Sequence, residues 1–130
     1  MNYRGIIIEE SLADRSVLDA MNIIKTVIEI VTEEHKTPWV KKWTMHEVEI
    51  QRDKAAEIAN KISVALDQQH NWYADYKTEL DHYIIYSNKV FHVTDRNDQA
   101  QYDEATNYGI SIGIPEYQVD FSPYLTKWKR

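Results

Sequence analysis

WTMHEVEIQRDKAAEIANKISVALDQQHNWYADYK, residues 43–77, sets two alternating runs on either side of one helical stripe, and its reading decides the fold. In WTMHEVEI the residues Thr44, His46, Val48 and Ile50 separate from Trp43, Met45, Glu47 and Glu49, the period of two that a strand imposes. From Asp53 the period lengthens. Ala56, Ala59 and Ile62, with Ala55, Ile58, Ala65 and Leu66 alongside, form an apolar stripe against Glu57, Asn60, Lys61 and Asp67, which predicts a helix. NWYADYK then alternates again, with Trp72, Ala74 and Tyr76 on a core face and Tyr73, Asp75 and Lys77 on the other.

Working outward, YRGIIIEE reads as a first strand and SLADRSVLDAMN as one short helix with Ser11 or Asp14 as N-cap. IIKTVIEIVTEE is rich in β-branched residues and reads as a second strand, while HKTPWVKK is a connection because Pro38 lacks an amide hydrogen. HYIIYSNKVFHVT predicts a hairpin turning at SNK, and QAQYDEATNY a third helix stopped by Gly109. The tail ISIGIPEYQVDF extends or edges the sheet. The order strand, helix, strand, strand, helix, strand predicts an α+β fold: a ferredoxin-like split βαβ sandwich with an added β-hairpin and C-terminal helix, in a single domain over residues 1–130.

If helices cover one face of that sheet, the other carries Ile7, Glu9, Val27, Glu29, Trp43, Met45, Glu47, Tyr73, Asp75 and Lys77. A mixed apolar, aromatic and acidic face marks a surface for a ligand or partner. A second copy of the sheet is the simplest occupant and predicts a homodimer; the alternative is that the hairpin, third helix or tail covers this face within one chain. The ligand- or partner-binding candidates are Trp43, Glu47, Tyr73, Asp75 and Lys77. Glu9, Glu47 and Asp75 on adjacent strands would suit a divalent cation or one raised-pKa acid or base, against the plainer reading of a solvated acidic rim.

Composition excludes several chemistries. The 130 residues carry a net charge of −6 and a pI near 5.3, so there is no global positive field for a phosphate backbone. Trp39 and Trp43 around a lysine pair, and LTKWKR at the end, have the flavour of base stacking but give a weak footprint, and no nucleic-acid partner is expected. With no cysteine there is neither a disulfide framework nor a thiolate metal site. The five histidines, His35, His46, His70, His82 and His92, fall on separate elements without HxH or HExxH spacing, so neither a metal nor a cofactor is expected. No serine sits in GxSxG, and GISIG lacks the GK[ST] of a phosphate loop. No apolar run approaches the roughly 20 residues that span a bilayer, and MNYRGIIIEE lacks a signal-peptide core, so a soluble cytoplasmic protein without a membrane partner is expected.

KTPW, HNWYADYK, YDEATNYGISIGIPEYQVDF and the early GIIIEES resemble a family of small uncharacterised prokaryotic single-domain proteins, over about Gly5 to Phe121. The resemblance implies an autonomous soluble domain and assigns no catalytic residue, cofactor or substrate. Two functional classes follow. One is a non-catalytic binding or interaction module that self-associates through a sheet face. The other is a small enzyme or metal-dependent ligand-binding protein using Glu47, Asp75, Tyr73 and His46 or His82 in a pocket edged by GIPEYQVDF.

Overall fold

The alternating runs become the middle of the sheet. The computed structural model describes residues 2–33, 37–115 and 118–119, and its fold is mixed α+β, with a six-stranded antiparallel open sheet and, among the described residues, two α-helices. The strands are β1 (Tyr3–Ile8), β2 (Asn22–Ile30), β3 (Lys42–Ile50), β4 (Tyr73–Lys77), β5 (His82–Tyr86) and β6 (Lys89–Val93), in the order β2-β3-β1-β4-β5-β6. Helix α1 (Ala55–Ala65) connects β3 to β4, and α2 (Gln99–Ser111) follows the hairpin.

One face of the sheet packs on α1. Its core joins Ile7, Val48, Ile50, Ala74, Tyr76 and Ile85 to Ala55, Ile58, Ala59 and Ile62. The alanines keep the helix close enough for the Tyr76 hydroxyl to donate to the Ala55 carbonyl at 2.5 Å and Ser63 Oγ to that of Tyr86 at 2.8 Å. The predicted division of β3 and β4 between two faces therefore holds, with Tyr76 buried as expected; Trp72, predicted to share its face, precedes β4 and is buried in the cavity wall on the opposite side instead.

β1 corrects the predicted face by one residue. Ile6 stands opposite Glu47 on β3 and Asp75 on β4, whereas Ile7 stands opposite His46 and is fully buried on the α1 side. Three consecutive isoleucines offer no alternation, and a slip of one exchanges every side chain between faces. Glu9 leaves the sheet as well: it opens a 3₁₀ turn (Glu9–Ser11), and its carboxylate reaches His46 on the α1 side at 3.1 Å. SLADRSVLDAMN contains no α-helix. It makes that turn and a second 3₁₀ segment (Arg15–Ala20), capped by Asp14 accepting from the Ser16 amide.

Gly5 explains how closely β1 and β4 approach. A Cβ built there would lie 1.9 Å from the Asp75 carbonyl oxygen and 2.6 Å from Tyr76 Cα, so the position admits only hydrogen.

Helix α2 packs on the opposite face, over β5 and β6. Tyr102 and Ala105 join Ile84, Tyr86, Val93, Ile114 and Val119 in a second core, and the Tyr86 hydroxyl donates to the Ala105 carbonyl at 2.7 Å. Gly109 is inside this helix rather than its stop, because a Cβ there would come within 2.7 Å of both Tyr86 Oη and Val119 Cγ1. The chain leaves the helix at Gly113, in the left-handed region at φ 101°, where glycine costs least. The face predicted to be open is thus half closed within the chain: α2 covers β5 and β6, and among the described residues no helix covers β3, β1 and β4.

The two edges of the sheet differ. β2 is nine residues long and exposed throughout, whereas β6 has five residues, with Lys89 laid over the Phe91 ring at 5.2 Å.

Candidate functional site

The uncovered part of the face is concave. A cavity of about 300 Å³ lies over β3, β1 and β4, and Trp43, Glu47, Tyr73, Asp75 and Lys77 all line it. Their convergence follows from register. Ile6 is the common neighbour of Glu47 and Asp75, Lys77 pairs with Arg4, and Ile8 pairs with Met45. The floor is therefore apolar, Ile6, Ile8 and Met45, with carboxylates and cations along one side.

Tryptophans build the other wall. The Trp43 indole N–H donates to Thr37 Oγ1 at 3.0 Å, and Trp72 meets the Trp43 ring edge-on at a centroid distance of 6.3 Å. Trp39 stands edge-on to Trp72 and stacks flat on His70 at 4.0 Å, while His70 Nδ1 lies 2.7 Å from Asp67 Oδ2. The Trp39 face considered for stacking a base is thus occupied by His70. LTKWKR and His35 lie outside the described residues.

Behind the cavity, Asp75 is the end of a buried line of hydrogen bonds. Asp75 Oδ2 lies 2.7 Å from His82 Nε2, His82 Nδ1 lies 3.1 Å from Tyr102 Oη, and Arg96 Nε donates to Tyr102 Oη at 2.9 Å. His82 is fully buried, and burial pushes its pKa below the ordinary histidine value, against the hydrogen bond and charge of Asp75. A neutral imidazole fixes the direction of every bond: Arg96 donates to Tyr102, Tyr102 to Nδ1, and Nε2–H to Asp75. The cationic end of this line is at Arg96, and the carboxylate end is in the cavity wall. Burial likewise lowers the Lys77 ammonium, with Asp75 opposing and Arg96 adding to the effect.

This has a measurable consequence. Because the folded His82 binds its proton less readily than the unfolded residue, stability is fully present above the unfolded value of about 6.5 and falls as pH drops below it, by up to about 1.4 kcal/mol per pH unit. Urea midpoints between about pH 7.5 and 5.5 should decline more steeply for the wild type than for His82→Gln. Parallel profiles would mean that His82 carries no such linkage.

The other predicted groups lie elsewhere. His46 Nδ1 is 2.8 Å from Thr26 Oγ1 and Nε2 is 3.1 Å from Glu9 Oε1, on the α1 side and away from Glu47 and Asp75. A further buried carboxylate, Asp81, closes the β4–β5 turn. It accepts from Thr78 Oγ1 and from the Tyr3 hydroxyl, and has His92 Nε2 at 2.7 Å and Arg52 Nη1 at 3.5 Å. Burial raises its pKa, yet these hydrogen bonds and the Arg52 charge outweigh that and hold it at about 2. Burial and the bond to Asp81 push the Tyr3 phenol up in turn.

Sequence reasoning missed Arg4, Ile6 and Ile8 as cavity residues, and missed Tyr102 and Arg96 behind Asp75. Only Ile6 and Ile8 carried a local signal, the apolar run itself. Among the described residues there is no group of three or more His, Asp or Glu side chains placed to hold a metal ion, and no helix long and apolar enough to cross a membrane. No protein-family model, no curated protein and no solved structure matches this chain.

Proposed function

We propose that the protein is a binding module for a small, mainly apolar or aromatic molecule, held in the cavity over β3, β1 and β4. The observation that carries this reading is the cavity itself: about 300 Å³, aromatic on one side and apolar below, with the charged groups among the described residues confined to Arg4, Glu47, Asp75 and Lys77. That is the small end of the range for ligand sites, and its few polar groups would orient a ligand rather than supply the affinity. Formal charges along that edge balance, which favours a ligand whose polar end is neutral or zwitterionic.

The fold reading accompanies it. The order β2-β3-β1-β4, with α1 as the connection from β3 to β4, supports a ferredoxin-like split βαβ unit. In it the first crossover is reduced to 3₁₀ turns, and the hairpin and α2 extend the sheet. A cysteine-free chain also suits a reducing cytoplasm.

N-phenyl-1-naphthylamine, a neutral dye whose fluorescence rises in apolar surroundings, is a suitable probe. The wild type should bind about one equivalent. Met45→Glu, which sets an uncompensated charge on the cavity floor, should weaken binding at least about tenfold when compared well below its own melting temperature, which falls because Met45 also packs against the core. Equal dye binding by wild type and variant would remove the cavity as the site.

A second reading, a small enzyme in which Asp75 takes a proton from a bound substrate, draws on the line from Arg96 to Asp75. Under it, a ligand recovered from the wild type is chemically altered, and Asp75→Asn returns it intact. Under the binding reading, both return the same molecule.

A further inference from the structure

We propose that β2 pairs with β2 of a second copy of this chain, antiparallel about a two-fold axis through Val27, so that two sheets join edge to edge. Among the described residues, β2 is the long edge strand of the sheet. All nine residues are exposed, and Val27, Ile28 and Ile30 present 43%, 58% and 71% of their surface to solvent on a strand free of proline. An edge strand is a template for pairing with another chain, and proteins blunt it with charge, proline or brevity unless it is used. The only irregularity is the register shift between Ile23 and Lys25, which leaves the run from Lys25 onward regular.

The sequence of that run chooses the occupant, because it is complementary to itself read backwards. In the register centred on Val27, Lys25 stands opposite Glu29 of the partner subunit and Glu29 opposite the partner's Lys25, giving two opposite-charge pairs around a Val27–Val27 contact. On the other side of the ribbon Thr26 and Ile28 exchange in the same way. A symmetric dimer needs this property, since one patch must serve both subunits. The pairings with β3 put Lys25, Val27 and Glu29 opposite Glu47, Met45 and Trp43, on the face that holds the cavity. A two-fold axis perpendicular to the sheet keeps both cavities on one side, with the paired β2 strands between them.

The absence of cysteine makes a direct test available. Val27→Cys gives a chain with a single thiol, and in the proposed register the two thiols face each other with Cα atoms about 5 Å apart, within disulfide reach. Ile30→Cys is more exposed, but its thiols would lie about 20 Å apart. Under mild oxidation Val27→Cys should convert to a covalent dimer and Ile30→Cys should not. By sedimentation equilibrium, Lys25→Glu should weaken the uncrosslinked dimer about tenfold, and adding Glu29→Lys should restore it. A wild type that is monomeric at high concentration, equal crosslinking at both positions, or no restoration in the double variant would overturn the proposal.

Discussion

Gly5→Ala is expected to cost about 3 kcal/mol or more, placing it among the most damaging single substitutions in the chain. The added methyl would sit 1.9 Å from the Asp75 carbonyl oxygen and 2.6 Å from Tyr76 Cα, and both are backbone atoms of a central strand rather than the end of a flexible side chain. Relief requires β4 to move away from β1. That motion is resisted because Tyr76 is bonded to the start of α1 and Asp75 to His82 on β5. Urea unfolding with unchanged slope and a much lower midpoint is the expected result. A loss below about 1 kcal/mol would mean that the strands separate freely, and the tight β1–β4 contact would then not be a determinant of the fold.

Asp81→Ala should cost about 3 kcal/mol near neutral pH, because it leaves the donors of Tyr3 and Thr78, and the adjoining His92 and Arg52, without their shared acceptor. The sign of the pH dependence identifies the cause. The folded carboxyl titrates at about 2, below its unfolded value of 3.8, so its stabilisation is fully present above 3.8 and is lost as pH falls toward 2. That linkage amounts to about 2 kcal/mol, so the gap between wild type and Asp81→Ala should narrow as pH falls through this window. A gap that stays constant would assign the loss to packing alone.

Legibility in the sequence tracks local alternation. WTMHEVEI and NWYADYK switch between apolar and polar at most steps, so the faces of Trp43, Glu47, Tyr73, Asp75 and Lys77 follow from the period of two, and they converge on one cavity. GIIIEE offers no contrast, and the choice between Ile6 and Ile7 was made by pairing with β3, a contact more than 30 residues away. SLADRSVLDAMN has helical spacing over too few residues to repay nucleation, and its Ser and Asp side chains bond to nearby backbone instead. The meeting of Tyr3 with Asp81 joins distant parts of the chain, and the face on which α2 folds back over β5 and β6 is set by tertiary packing, so neither leaves a trace in any short window.

The unequal edges of the sheet bear on solubility. A ribbon that grows without limit needs two adhesive borders on each subunit, one to receive a neighbour and one to offer to the next. Of the two edge strands among the described residues, β2 is long and apolar, while β6 ends after five residues beside a lysine. If β2 edges pair with each other, each molecule's single adhesive border is consumed and the assembly closes at two copies. Concentrated solutions should then saturate at a fixed mass instead of thickening into fibres.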